Sequence, residues 1–337
     1  MTQRRLRYLQ AMNEAYLQEM TRDPDTIILG EDIRGGIRGE TKGLLEAFGP
    51  ERVLDTPISE AGFVGFATGA AMAGLRPLVQ FQVPSLIYVA FDQLVNQAAK
   101  LRLMMGGQAK IPVTYTIMVA GARGGVAGQH SDNPYPYLLH AGFKLVCPST
   151  PYDAKGLLTS AIREDDPVVF MAPAMALAQR GPVPEEPYAI PLGVGEIKRR
   201  GTDVTVVAVG HLVPEALAAA EQLREEGIDV QVWDPRSLLP LDKEGLCAAV
   251  RDTGRVVIYD DSARTCGFAA ELSAILAERV HDVLKAPIKR ITRADTPMPY
   301  SSPLEKAVLP TPHQLTEAIR TLYAHNPSTH RRPHVEA

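Results

Sequence analysis

The chain has 337 residues, 45% of them apolar and 22% charged, enough for two domains that each bury a core. A formal net charge of −4 gives no electrostatic case for nucleic-acid or membrane-surface binding, and no run is long and apolar enough to span a bilayer. The three cysteines, Cys147, Cys247 and Cys266, form no CxxC pattern, which argues against a zinc or disulfide framework and for a reducing compartment. The N-terminal stretch "MTQRRLRYLQAMNEAYLQEM" lacks the apolar run of a signal peptide, so the expected location is cytoplasmic.

Short β-rich runs at 26–30, 77–83, 111–119, 143–148 and 167–171 predict buried strands. Helical patterns at 42–48, 61–74, 85–104 and 151–163 lie between them. The alternation predicts an α/β domain over 1–180, a mostly parallel sheet covered by helices on both faces. Residues 181–200 carry prolines at 182, 184, 187 and 191; proline lacks an N–H and fixes φ, so this stretch reads as a linker. The alternation restarts over 201–325, with strands at 203–210, 229–235, 255–261 and 287–292. Helices are expected there at 213–226, 242–252, 266–283 and 312–324. Residues 326–337 read as a flexible tail; His325, His330 and His334 cluster at this end, and solvated side chains are expected rather than a metal site.

One stretch raises a chemical question. In "DTPISEAGFVGFATGAAMAG" (55–74) a single acid, Glu60, precedes fourteen uncharged residues. Gly62, Gly65, Gly69 and Ala73 follow at spacings of three and four, which places them on one helical face and lets another backbone approach closely. An acid in a first turn is favoured by the helix dipole, so a simple capping role accounts for Glu60. The alternative is a carboxyl group whose apolar surroundings favour its protonated form, able to share that proton with a buried ligand.

Several segments carry a resemblance: "GED" (30–32), "TKGL" (41–44), "FGPERVLDTPISEAGFVGFATGAAMAGLRPLVQFQ" (48–82) and "FDQLVNQAAKLRLMMGGQ" (91–108). "GQHS" (128–131), "CPSTPYDAKGLLTSAIREDDPVVF" (147–170), "GPVPEEPYAIPLG" (181–193), "PRSLLPLDKEGL" (235–246) and "PMPYSSPLEKAVLP" (297–310) continue it in order. Together they closely resemble the β-subunit of the thiamine-diphosphate-dependent first component of 2-oxo-acid dehydrogenase complexes, a group that includes pyruvate, branched-chain and acetoin dehydrogenases. The resemblance implies a transketolase-like fold: a pyrimidine-binding domain followed by a transketolase C-terminal domain.

It also implies roles. Glu60 would hydrogen-bond the pyrimidine ring of thiamine diphosphate and favour the tautomer that deprotonates the thiazolium carbon. Ile58 and Gln82 would line the pyrimidine pocket. His130, in the Gly-rich loop "GGVAGQHSD", would orient the substrate or the acyl acceptor; His140 also aligns with a family histidine, with a structural role equally open. Glu31 would join acidic connections between paired active sites, or be a solvated strand-end acid. The backbone carbonyls of Val113, Ala161, Ile162, Glu164 and Asp166 would correspond to a structural potassium site found in some relatives. Partners implied are an α-subunit, in an assembly of two α and two β chains, and a lipoyl transacylase core that receives the acyl group.

The chain also departs from the pattern. Leu86 stands where most relatives place an aromatic ring against the pyrimidine, Pro84 is unusual, and Tyr88 offers a partial replacement. The segment after "PVVF", "MAPAMALAQRG", lacks the family's acidic and tyrosine positions. The glycine–aspartate–glycine turn followed about thirty residues later by asparagine, which holds diphosphate and magnesium in this family, is missing; so are GxGxxG and GxxxxGK[ST]. Magnesium is therefore expected on the α-subunit. Two alternatives stay open: one chain of a split transketolase-like ketol transferase, for which only Arg123 and His130 suggest a sugar-phosphate entrance, and a non-catalytic assembly subunit, which would have no use for Glu60 and His130.

Overall fold

A computed structural model describes residues 4–121 and 124–325; Arg123, His330 and His334 lie outside the described residues. In chain order the elements are β1 (Arg5–Arg7), α1 (Tyr8–Arg22), β2 (Thr26–Gly30), α2 (Leu44–Phe48), β3 (Val53–Asp55), α3 (Glu60–Met72), β4 (Arg76–Phe81) and α4 (Ala99–Met104). Next come β5 (Thr114–Ala120), α5 (Ala127–His130), α6 (Tyr135–His140), β6 (Lys144–Val146), α7 (Pro151–Arg163), β7 (Val168–Pro173) and β8 (Arg180–Pro182). The remainder is β9 (Glu196–Arg199), β10 (Val204–Ala208), α8 (Leu212–Arg224), β11 (Val230–Asp234), β12 (Ser237–Leu239), α9 (Lys243–Thr253), β13 (Val256–Ala263), α10 (Phe268–Val280), β14 (Lys289–Arg293), α11 (Ser302–Val308) and α12 (Pro312–Ala324).

Two compact units result. The first runs through Val194 and adds Arg236–Leu241 and Thr296–Val308; the second holds Gly195–Pro235, Asp242–Asp295 and the described residues from Leu309 on. The first unit is built on a seven-stranded sheet in the order β12-β6-β7-β5-β4-β2-β3. All its pairings are parallel except β12 against β6. Every residue of β2, "TIILG", is buried, as a parallel strand covered on both faces requires. The chain leaves β2 for the edge strand β3 and returns past β2 to β4. The carboxyl ends of β2 and β4 thus flank the point where the winding reverses, the usual place for a ligand in such sheets.

Helix α1 has no counterpart among the sequence-predicted helices, although Tyr8, Met12, Ala15, Tyr16 and Met20 bury one face at helical spacing. It packs on α7, where Arg163 forks onto the buried Glu19 through bonds of 2.9 and 2.7 Å. The single helix predicted at 85–104 is instead three pieces: a 3-10 turn at Pro84–Tyr88, a π-helix at Gln93–Ala98, and α4. Pro84 opens the first piece, where its missing N–H costs no helical bond.

The proline-rich segment is fixed to α7 rather than free. Proline gives up its N–H but keeps its carbonyl, and Lys155, fully buried, takes the carbonyls of Pro184, Glu185 and Glu186 at 2.8, 3.0 and 3.0 Å while pairing with Glu14. Ile190 donates its N–H to Gly156 at 3.0 Å, and a Cβ at Gly156 would lie 2.5 Å from the Ile190 side chain. The first unit therefore continues to Val194, and β9 already belongs to the second.

The second unit is a five-stranded sheet, β14-β13-β10-β11-β9, parallel except for the edge strand β9. Its helix ends follow local rules. Asp242 caps α9 by accepting from Gly245 N–H, and Thr311 with Gln314 closes a capping box on α12 behind Pro312. No helix among the described residues is long and apolar enough to cross a membrane.

Candidate active site

The reversal point collects the acids and amides picked out in the sequence. Gly30 ends β2 with φ +149°, and a Cβ there would lie 2.4 Å from the Gln80 carbonyl, so only glycine fits between the two strand ends. Glu31 follows, half-buried, with its Oε1 buried and lacking a hydrogen bond. Burial first, then the neighbouring charges of Glu60 and Asp32, hold its carboxyl above the ordinary range. At the end of β4, Gln82 donates to the Glu31 carbonyl at 2.8 Å and accepts from Arg38 at 2.8 Å.

Glu60 is the first residue of α3 and only 4% exposed, and among the described residues its side chain makes no hydrogen bond or ion pair. Two residues earlier, Ile58 is 83% exposed. Along α3, Gly62, Gly69 and Ala73 face outward together with Phe66, which is 54% exposed, while Gly65 lets Gln93 approach. The small-residue face is thus largely open in this chain. Beneath the site lies a buried polar layer: Gln80 donates to Glu40 at 2.7 Å, and the Tyr16 and Thr116 hydroxyls meet at 2.9 Å. Burial pushes the Tyr16 phenol up.

Leu86 is half-buried within the 3-10 turn, and Tyr88 is committed elsewhere. The Tyr88 hydroxyl donates to Asp132, and its ring meets Tyr137 edge-on at 5.8 Å between centroids. That contact ties the turn to the loop carrying His130, which ends α5 with its side chain exposed. Strand β5 shifts register between Ile117 and Ala120, and Val119 sits at φ +49°, an unusual conformation for a β-branched residue just before this loop. His140, at the end of α6, is exposed.

Four of the five carbonyls considered for potassium already accept hydrogen bonds. Arg76 donates to those of Ile162 and Glu164 at 2.9 and 2.7 Å and reaches the Asp165 carboxylate at 3.2 Å. The Val113 carbonyl accepts from Val168 N–H and that of Ala161 from Glu164 N–H. The Asp166 side chain pairs with Lys144 at 2.7 Å and with Arg102. A further cation here would face the Arg76 charge at close range, so the cluster does not fit one. Arg76→Met should cost about 3 kcal/mol, two charged hydrogen bonds to carbonyls being lost. Exchanging potassium for tetramethylammonium should leave the denaturation midpoint of the unaltered protein in place. A midpoint that drops without potassium would restore the ion.

The pyrimidine-binding domain of transketolases matches residues 4–179, and the transketolase C-terminal domain matches 193–315. The β-subunit of acetoin:2,6-dichlorophenolindophenol oxidoreductase from Bacillus subtilis is 45% identical over 93% of this chain and 95% of its own. This chain belongs to the transketolase-like dehydrogenase β-subunits. Other members include the pyruvate dehydrogenase E1 component subunit beta-1, mitochondrial, of Arabidopsis thaliana, 41% identical over 92% of this chain and 86% of its own. The 2-oxoisovalerate dehydrogenase subunit beta of Bacillus subtilis is 39% identical over 94% and 98%. A solved split-gene transketolase, described as an inactive β4 tetramer, shares the fold, with a TM-score of 0.77 at 20% identity over 95% of this chain and 98% of that one.

Within this β-subunit family fold, three site features escaped the sequence reading. Glu40 is buried beneath Gln80, Arg76 clamps carbonyls, and Glu305 reaches the His130 loop. Each is a charged residue whose partner is a backbone group or a distant amide, and neither leaves a spacing signal. Glu31 also carries a pH signature. The folded chain keeps its proton to higher pH than the unfolded chain does, so Glu31 costs stability as pH rises past the ordinary carboxylate range. The cost vanishes in acid, where both states are protonated. Glu31→Gln should therefore raise the denaturation midpoint at neutral pH and leave it unchanged near about pH 3; an equal shift at both would refute the coupling.

Proposed function

We propose that this chain is the β-subunit of a thiamine-diphosphate-dependent first component acting on a 2-oxo acid or an acyloin, and that it supplies half of each active site. The observation that carries the reading is Glu60: buried, without a hydrogen bond among the described residues, at the first turn of α3 beside the reversal point of the sheet. A carboxylate set in apolar surroundings with no protein partner is free to take a hydrogen bond from a ligand that covers it. The exposed Ile58 and the unbonded Oε1 of Glu31 offer further apolar and polar surface that a pyrimidine ring could cover, so the residues present fit the cofactor.

Thiamine diphosphate, when bound, supplies a thiazolium carbon that attacks the substrate carbonyl and accepts the electron pair released on decarboxylation or cleavage. In this chain Glu60 would hold a proton at a pyrimidine ring nitrogen, and Ile58, Gln82 and Leu86 would flank the ring. His130 would orient the substrate or the acyl acceptor. The diphosphate and magnesium fall to an α-subunit bearing the glycine–aspartate–glycine and asparagine motif that this sequence lacks. Two α and two β chains would assemble, and the acyl group, oxidised as the lipoyl disulfide is reduced, would pass to a transacylase core. Cys147, Cys247 and Cys266 are thiols outside any disulfide, which accords with a cytoplasmic setting. Arg76 serves the cluster around Ile162 and Glu164 in place of potassium.

Co-purification with an α-subunit carrying that motif, followed by a panel of 2-oxo acids and acyloins with an artificial electron acceptor, tests the reading. Acceptor reduction dependent on thiamine diphosphate and magnesium is expected with at least one substrate. Ketol transfer between sugar phosphates, with no acceptor reduced, would overturn it.

A further inference from the structure

The loop that presents His130 is held by a residue far away in sequence. Glu305, on α11, is 3% exposed. Its carboxylate accepts the Gly124 N–H at 3.0 and 3.1 Å, one contact to each oxygen, and the Gly125 N–H at 3.0 Å. Two successive amides thus converge on one carboxylate, which compensates the burial of its charge. Gly124 and Gly125 lie at φ +104° and +77°, and the next ordered turn opens with Ala127 at +64°. A Cβ on Gly125 would lie 3.1 Å from the Tyr300 carbonyl, and one on Gly128 would lie 3.6 Å from that of Met298, so the segment before α11 lies against the same loop. The loop's base is closed separately, by Gly121 N–H donating to the Asp132 carbonyl at 2.8 Å. Positive φ is ordinary for the two glycines, but Ala127 carries a Cβ, and its conformation persists only where its surroundings fix it.

We propose that Glu305 is the positioning residue for His130: its carboxylate holds the Gly124–Gly125 amides so that α5 delivers the imidazole at a fixed place. This rests on the role given to His130 above. Glutamine is nearly isosteric, but its NH2 group would oppose one of the two amide donors. Oε2 meets both amides, so a glutamine oxygen placed there keeps two contacts while its NH2 sits against the Gly124 N–H; glutamate is favoured because both of its oxygens accept. Aspartate keeps the charge and lacks one methylene of reach.

The test uses the assembled enzyme. In Glu305→Gln, hydrogen exchange at Gly124 and Gly125 should accelerate, and kcat should fall about tenfold with cofactor affinity unchanged, the pattern of a misplaced group rather than lost binding. Glu305→Asp should show the same changes to a smaller degree, and serves if the glutamine variant fails to assemble. In a His130→Ala background, Glu305→Gln should cost nothing further, because residues that act as a unit are not additive. A purely structural role predicts the same loss in both backgrounds, and that result would overturn the proposal alone. Full turnover by His130→Ala would overturn the role of His130 and this one with it.

Discussion

Glu60→Gln should leave the assembled protein folded and slow proton exchange at the cofactor's thiazolium carbon by about 10²–10⁴-fold, the contribution of a positioned proton-transfer group. The side chain is 4% exposed and makes no hydrogen bond or ion pair among the described residues, so the substitution removes no internal contact. What it removes is the carboxyl group that, on the proposed reading, exchanges a proton with the ring. An amide can still donate from its NH2 or accept at its oxygen, but it cannot alternate between the two at one ring nitrogen. The loss should therefore appear in exchange and kcat rather than in stability or cofactor affinity. Exchange at the normal rate in Glu60→Gln, measured by deuterium uptake at that carbon, would return Glu60 to the role of a helix-capping acid.

Where local chemistry decides the structure, the sequence was legible. The mostly apolar "TIILG" became the fully buried β2, and the helix expected at 312–324 is α12, Pro312–Ala324. The alternation of strands and helices also predicted two parallel sheets. Among the short strands β6 was anticipated within 143–148, but β3, β9 and β12 were not, since they owe their pairing to neighbours brought in from elsewhere. Pro84 was noted, yet the pattern at 85–104 still read as one helix, because helical periodicity does not distinguish i+3, i+4 and i+5 bonding over so short a span. The proline count suggested a tether; the fate of those carbonyls depended on Lys155, which no spacing links to them. For the candidate site, Glu60 stood out because it is one charge beside an apolar run. Glu40 and Glu305 did not, being ordinary acids in sequence whose importance comes from backbone amides and a buried glutamine.

The second large effect concerns the chain without its partner. Purified alone, it should bind thiamine diphosphate with no measurable affinity in calorimetry, and magnesium should make no difference. The diphosphate carries most of the cofactor's charge, and a hard cation holding it needs a set of oxygen ligands. The paired motif that supplies them in this family is missing from the 337 residues. On the proposed reading what remains here is the pyrimidine side: an exposed Ile58, a buried Glu60 and a bonded Gln82, too little surface to retain a highly charged ligand. The outward face of α3, with Phe66 and Met72 exposed beside Gly62 and Gly69, would then also stay uncovered. Apolar surface of that kind favours association, so the lone chain should sediment as oligomers and revert to a defined complex on adding the α-subunit. Binding should appear in the same step and depend on magnesium. Micromolar, magnesium-dependent affinity in the lone chain would overturn the half-site and point to an enzyme complete in itself.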